Sequence, residues 1–316
     1  MTRRVLITGG LGFVGHALSL ALLNAGFFVR VSSRRAHSPE PCGVEFFRVA
    51  DDGLTNWRNG LKSVNTVVHC AARVHVKDEI ASDPLVAFRT VNVSSTLELA
   101  RQAANMGIKR FVFVSSIGVN GAETFAKSFA ADDEPSPHSP YAVSKYEAEL
   151  GLRALSAETD MEVVVVRPPL VYGPNAPGNF GSLVRWLEWG VPLPFGAVTE
   201  NRRSLIALDN LVDLLLRVID HPAAANQTFL AADGEDVSTA DLVRRMGFAL
   251  GRPACLLSVS PGLLRSGASL LGRGDVAKIL CSSLQIDIAK TRELLNWTPP
   301  VCVDEALRRA LSRGHP

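Results

Sequence analysis

Tyr141 and Lys145 stand four residues apart, Tyr-Ala-Val-Ser-Lys, in a segment whose pattern predicts a helix over 141–157. Residues at i and i+4 share one helix face, so an ammonium would lie beside a phenol. A neighbouring cation favours the phenolate and lowers a pKa that starts near ~10. That makes tyrosine a usable acid or base near neutrality. The pattern is common by chance, so its weight depends on what accompanies it. Ser116 ends a predicted strand over 110–115, where the carboxyl edge of a sheet meets its ligand crevice. Its hydroxyl could hydrogen-bond a substrate oxygen. Asn92 falls inside a predicted helix, an unfavourable place for Asn. A water or backbone relay and a surface or helix-packing role both remain open for it.

A second chemistry-bearing stretch opens the chain. Gly9-Gly10-Leu11-Gly12-Phe13-Val14-Gly15 has the spacing Gly-x-x-Gly-x-x-Gly, between a predicted strand over 5–8 and a predicted helix over 13–24. Glycines serve where a chain turns tightly and where backbone must approach a pyrophosphate. The helix N-terminus then offers free amides and a positive dipole end. In this context the motif predicts a dinucleotide site. NAD-binding folds commonly end the second strand in an acid for the ribose 2′-hydroxyl. Here Ser32-Ser33-Arg34-Arg35 stands there instead. Hydroxyls and arginines suit a 2′-phosphate, which favours NADP(H) and leaves NAD(H) possible; solvated surface arginines are the plain alternative. Asp51, after a predicted third strand over 45–49, is a candidate for the adenine edge. His69 reads as a packed histidine at a strand end. His75 either lines a substrate pocket or does not. Neither has a partner at metal-ligand spacing, so no metal is expected.

These residues need a scaffold. Further strands are predicted over 28–32, 66–70 and 162–166, and a long helix over 84–106 closed by Gly107. Alternating strands and helices imply a Rossmann-type, doubly wound parallel sheet, an α/β fold. After Arg167-Pro168-Pro169 proline and glycine become frequent and the pattern turns mostly helical, over 180–189, 210–220 and 239–250. The expected organisation is a dinucleotide-binding domain over 1–170 and a smaller, mostly helical substrate region over 171–316 that shares some chain with the first.

The chain has 316 residues, 47% apolar and 20% charged, enough for a sizeable core. A net charge of +2 gives no electrostatic reason to expect nucleic acid. No apolar stretch reaches the length of a membrane span. The opening Met1-Thr2-Arg3-Arg4 and apolar run imitate a secretory signal, but Gly9, Gly10, Gly12 and Gly15 interrupt it. Five scattered cysteines without metal spacing read as reduced thiols in a cytoplasmic protein.

The glycine loop, Asn92, Ser116, Tyr141-x-x-x-Lys145 and Arg167-Pro168-Pro169-x-Val171-Tyr172-Gly173-Pro174 occur in the order seen in extended short-chain dehydrogenases/reductases. The chain resembles their nucleotide-sugar epimerase/dehydratase branch over nearly its whole length, to Leu295-Asn296-Trp297-Thr298-Pro299. The resemblance implies Ser116, Tyr141 and Lys145 as catalytic triad, with Ala71, Ala72, Pro168 and Val171 beside the cofactor. Asn179, Arg203 and, as near alternative, Arg202 would meet the diphosphate of a UDP-sugar. Dehydratases of the branch carry an Asp-Glu pair after the catalytic hydroxyl; Ser116-Ile117-Gly118-Val119 has none. The segments 71–76 and 115–121 resemble bacterial enzymes of surface-polysaccharide synthesis, several similar to 4-reductases of UDP-4-keto-6-deoxy-N-acetylhexosamines. A UDP-sugar 4-epimerase with retained NAD is the first rival. A non-catalytic dinucleotide sensor is the rival of another class, opposed by the intact triad. In relatives the helices matching 84–106 and 141–157 form a four-helix contact, so a homodimer is expected.

Overall fold

Short, nearly continuous runs of β-branched and aromatic residues set the layers. The computed structural model describes residues 3–34, 43–49, 55–74, 83–270, 272 and 274–312. Among them, β1 (Arg4–Thr8), β2 (Phe28–Ser33), β3 (Glu45–Arg48), β4 (Thr66–His69), β5 (Arg110–Val114) and β6 (Glu162–Arg167) run parallel in one sheet. Short strands follow: β7 (Val171–Tyr172) pairs with β9 (Ile206–Ala207), and β8 (Arg203–Ser204) with β11 (Asp236–Val237). The seventh strand of the main sheet, β10 (Thr228–Leu230), comes from the second half of the chain. The order is β10-β6-β5-β4-β1-β2-β3. Strand order reverses between β1 and β4, the switch point where such sheets open a crevice.

Alternate residues serve opposite faces. Val5, Ile7, Val68, Val112, Val164 and Val166 pack under α1 (Phe13–Asn24), α7 (Leu208–Asp220) and α11 (Ala289–Leu295). Leu6, Val67, Phe111, Phe113, Val163 and Val165 pack under α2 (Arg58–Leu61), α4 (Ser95–Asn105) and α5 (Pro140–Glu158). Both faces are covered, which is why the strands read as nearly continuous apolar runs. In α5, Pro140 occupies the first turn and the Ser139 hydroxyl accepts from Ala142 N, so the helix begins one residue before Tyr141.

The helix expected over 84–106 is not uniform. It starts as α3 (Pro84–Phe88), capped by Asp83, passes through a π-helical turn over Arg89–Ser94 and continues as α4. Wide turns of this kind are frequent at functional sites. Here the turn brings Asn92 to the interior, 1% exposed.

A second layer gathers α6 (Gly178–Glu188), α8 (Thr239–Ala249) and α12 (Val303–Leu311) around Tyr172, Phe180 and Phe195. Helices α9 (Pro261–Leu270) and α10 (Gly274–Cys281) lie between α8 and α11 in the chain. A buried polar network ties the layers. Tyr172 donates to Asp233 at 2.8 Å, and Asp233 also accepts from Ala207 N and Asn210 Nδ2. Asn210 in turn exchanges two hydrogen bonds with the backbone of Val301. Burial pushes both the Tyr172 phenol and the Asp233 carboxyl upward. Among the described residues, no helix is long and apolar enough to cross a membrane.

Candidate active site

The glycine loop is built by close approach. Gly9 has φ +66°, and a Cβ on it would meet Ala71 N at 2.8 Å. A Cβ on Gly15 would sit 2.3 Å from Gly9 O, so glycine there lets α1 close on the loop. Gly12 N donates to Gly9 O at 2.9 Å, shaping the turn. A Cβ on Gly12 would meet only Gly9 O, at 3.1 Å, and that side of the turn is open to an approaching group. Gly12 is also the N-cap of α1, with no side chain to occupy the site and no acid in the first turn. The arrangement fits an anionic group at the helix N-terminus. Val14 is half-buried. Phe13 reaches across to the second layer, 3.5 Å from the Cβ position of Gly173.

At the end of β2, Ser32 is buried, Ser33 half-buried and Arg34 exposed. Arg35, Asp51 and His75 lie outside the described residues. Ala71 and Ala72 follow β4, with Ala71 N directed at Thr8 Oγ1, 3.3 Å away.

The same alternation that layers the core aims polar residues at α5. Thr8, His69, Ser115 and Arg167 continue the rows of Leu6, Val67, Phe113 and Val165. Lys145, 1% exposed, rests with Nζ 3.9 Å from the centroid of the Phe113 ring. Burial lowers its pKa to about 7, while Glu149 and Cys70 act in the opposite sense. Tyr141 lies one turn earlier, its ring edge-on to Phe88 at 6.0 Å. Its pKa is pushed up to about 12 by burial. The expected lowering by the ammonium is therefore outweighed by loss of water around the phenol.

Ser116 caps a short 3-10 turn, Ile117–Val119, and its Oγ accepts from Gly118 N at 3.1 Å. A Cβ on Gly118 would meet the Ala142 methyl at 3.3 Å. The turn thus lies against the first turn of α5, beside Tyr141. Pro168 O accepts from Ile117 N at 2.9 Å, fastening the same turn to the end of β6. Val171 continues into β7, half-buried.

Asn92 clamps the backbone of Arg73, accepting from its N at 2.8 Å and donating to its O at 3.1 Å. It also donates to Ser144, the neighbour of Lys145, at 3.0 Å. Asn92 therefore bonds backbone and also packs one helix against another through Ser144; of the roles left open for it, only the surface one is absent.

The second-layer candidates sit on separate elements. Asn179 is exposed in the first turn of α6. Arg203 is half-buried, and its Nη1 donates to Ile279 O and Ser282 O at the end of α10. Arg202 is exposed and donates to Thr199 O and Asn201 O. Two residues of consequence escaped sequence reasoning. Glu149 and Arg167, 0% and 1% exposed, form a two-pronged ion pair under Lys145. The available signal was Glu149 at i+4 from Lys145. Among the described residues no cluster of His, Cys, Asp or Glu could hold a metal.

A profile of the NAD dependent epimerase/dehydratase family matches residues 5–232. The chain belongs to that family. The UDP-glucose 4-epimerase of Vibrio cholerae is 43% identical to this family member over 312 residues, 98% of this chain and 94% of that protein. Two solved structures share the fold. The UDP-glucuronic acid 4-epimerase of Bacillus cereus in complex with NAD superposes with a TM-score of 0.78 at 19% identity, covering 98% of this chain and 97% of the other. The UDP-glucose 4-epimerase of Thermotoga maritima with UDP-glucose gives 0.79 at 22% identity, with the same coverage.

His69 is the packed histidine its position suggests. Its Nδ1 lies 2.8 Å from Thr8 Oγ1 and its Nε2 3.0 Å from Thr96 Oγ1. Burial first, and Lys145 second, lower its pKa to about 3. Between about pH 6.5, its ordinary value, and about 3 the unfolded chain binds a proton that the folded site refuses. Stability from this site is complete above that window and is lost as pH falls through it. Urea titrations from pH 7 to 4 should show this acid loss, and His69→Gln should reduce its slope by up to one proton.

Proposed function

We propose that this family member reduces the C4 keto group of a UDP-linked sugar, with NADPH as reductant. The observation that supports the reading is the Ser116 turn, which lies against the first turn of α5, the helix that carries Tyr141 and Lys145. The relatives named above supply the substrate class, a UDP-hexose handled at C4, and NAD in a neighbour of like fold supports a dinucleotide. Gly9, Gly12, Phe13, Val14 and Gly15 would receive the pyrophosphate, with Ala71, Ala72, Pro168 and Val171 flanking the nicotinamide half. Ser33, Arg34 and Arg35 would take the 2′-phosphate, and Asp51 the adenine edge. Asn179, Arg202 and Arg203 would face the sugar nucleotide's diphosphate, and His75 its sugar pocket.

When bound, NADPH supplies the hydride for C4. Tyr141, kept protonated by burial, donates its proton to the carbonyl oxygen. Ser116, whose Oγ accepts from Gly118 N, donates its own hydrogen to that oxygen and orients it. Lys145 would hold the cofactor ribose, and its charge would stabilise the phenolate that remains. A turn reading Ile117-Gly118-Val119 after Ser116 offers no acid for eliminating water, so the 4-keto-6-deoxy-N-acetylhexosamine would arrive ready made. The products would be UDP-N-acetylquinovosamine or UDP-N-acetylfucosamine. A phenol held protonated suits an enzyme that must deliver a proton.

A second reading, a UDP-sugar 4-epimerase with retained NAD, is favoured by the 43% identity to the Vibrio cholerae enzyme. It would use the same three residues. The free thiols of Cys70, Cys255, Cys281 and Cys302 suit a cytoplasmic setting for either.

Three measurements follow. Supplied with a UDP-4-keto-6-deoxy-N-acetylhexosamine, the protein should consume one NADPH per sugar reduced, and Tyr141→Phe should cut turnover by ~10²-fold or more with cofactor binding retained. Interconversion of UDP-glucose and UDP-galactose without added cofactor, and without NADPH consumption on the keto sugar, would establish the epimerase instead. In calorimetric titrations NADPH should bind more tightly than NADH, and Arg34→Ala should weaken NADPH selectively; equal affinities would remove the NADP assignment. Val86, Val91 and Leu150 are exposed on α3, the π turn and α5, a surface suited to a two-fold homodimer. Sedimentation at micromolar concentration should give a dimer, and a monomer alone would refute it.

A further inference from the structure

No step of the proposed reduction uses Glu149, yet its carboxylate lies directly below Lys145 on α5 with no solvent exposure. Glu149 Oε1 accepts from Ser115 Oγ at 2.5 Å and from Arg167 Nε at 3.0 Å. Glu149 Oε2 accepts from Arg167 Nη2 at 2.6 Å, and Arg153 Nη2 reaches the same oxygen at 3.6 Å from the half-exposed side of the helix. Arg167 continues to Asn120 Oδ1 at 2.9 Å, and Asn120 to Ala130 O at 2.9 Å. A carboxylate placed this deep serves the groups around it, and those groups are the ends of β5 and β6 and the middle of α5.

Lys145 is faced from three elements. From β5 comes the Phe113 ring. From the end of β4 come His69 and Cys70. Burial holds both neutral near pH 7, with the His69 pKa lowered to about 3 and the Cys70 pKa raised to about 12. From α5 itself come Tyr141, a neutral phenol with its pKa pushed up to about 12, and Glu149. Arg167 and Arg153 stand on the far side of Glu149. Glu149 is therefore the anion that opposes the desolvation of the Lys145 ammonium.

We infer that Glu149 is a positioning residue for this site: buried one helical turn after Lys145, its carboxylate sets a negative charge against the buried ammonium and, through Ser115 and Arg167, fixes the Ser116 turn against α5. The link to turnover rests on the proposed role of Lys145; the link to the lysine charge does not. Ser115 immediately precedes Ser116, and its N donates to Val166 O at 2.7 Å. Arg167 immediately precedes Pro168, whose carbonyl holds Ile117 N. One carboxylate thus grips the residue before each of two cofactor- and substrate-facing positions, and approaches the third from below.

The sign of the effect follows from the charges. Removing the anion leaves the ammonium desolvated and without the charge that opposes that cost, so Lys145 gives up its proton at lower pH. The test uses full-length protein labelled with ¹³C-lysine, the Cε signal of Lys145 being assigned by its loss in Lys145→Met. In the unmutated protein that signal should titrate near pH 7. Glu149→Gln should move the midpoint down by roughly one pH unit or more and move the alkaline limb of kcat by a similar amount, with KM little altered. Ser115→Ala keeps the carboxylate and should leave both midpoints in place, which a merely structural role for Glu149 would not predict. If Glu149→Gln does not fold, Glu149→Leu/Arg167→Met replaces the pair with apolar groups, a change buried pairs often tolerate, and the same downward movement is expected. An unmoved Cε midpoint in a folded variant lacking the carboxylate overturns the inference. Absence of turnover on any 4-keto sugar by the unmutated protein defeats the reduction reading alone, because the Cε midpoint is read without substrate.

Discussion

An ion pair sealed from water, Glu149 with Arg167, is the constraint to which the carboxyl edge of this sheet is referred. Taking two charges out of water is costly, and only close geometry with every lone pair engaged offsets it. Here Ser115, Asn120 and the fork of Arg167 engage them. Loss of one partner from such a pair costs about 3–5 kcal/mol. The pair therefore sets the relative height of β5, β6 and α5 more sharply than apolar contacts can. Valine rows tolerate sliding, whereas a guanidinium and a carboxylate do not.

Upon that frame the crevice is assembled from backbone more than from side chains. Gly9 touches Ala71 across the switch point, Asn92 grips the main chain of Arg73, and Pro168 O holds Ile117 N. The first and third join the loop after one strand to the loop after another, and the second joins a helix to the loop after β4. The candidate catalytic side chains then inherit their positions from the loops that carry them. Phe13, packed against both layers, extends the same frame into the second half of the chain.

Much of this was legible in the residues, for physical reasons that also mark the limits. The helix after the glycine loop shows its ends because glycine flanks it on both sides, and it spans Phe13–Asn24 as expected. The parallel sheet shows because strands buried on both faces read as apolar runs. A π turn has no period of its own in the sequence, so a continuous helix over 84–106 was the natural reading, and Asn92 was its only flag. Sequence spacing put the ammonium beside the phenol but carried no measure of burial, so the direction of the Tyr141 shift was missed. Glu149 and Arg167 are 18 residues apart and meet only because α5 returns over β6. The anchoring of Arg203 on carbonyls of α10 is equally non-local.

The origin of the seventh strand has a consequence for synthesis. β6 is complete at Arg167, but its outer neighbour β10 is not made until Leu230, and the apolar cover of that face is finished by Leu295 and Trp297. During translation the nascent sheet therefore waits with an open edge of valines, a template for mispairing. At roughly 5–20 residues per second, that edge stays uncovered for seconds. A growing chain of this topology is open to edge-to-edge pairing throughout that interval, and slow codons between β6 and β10 would lengthen the exposure.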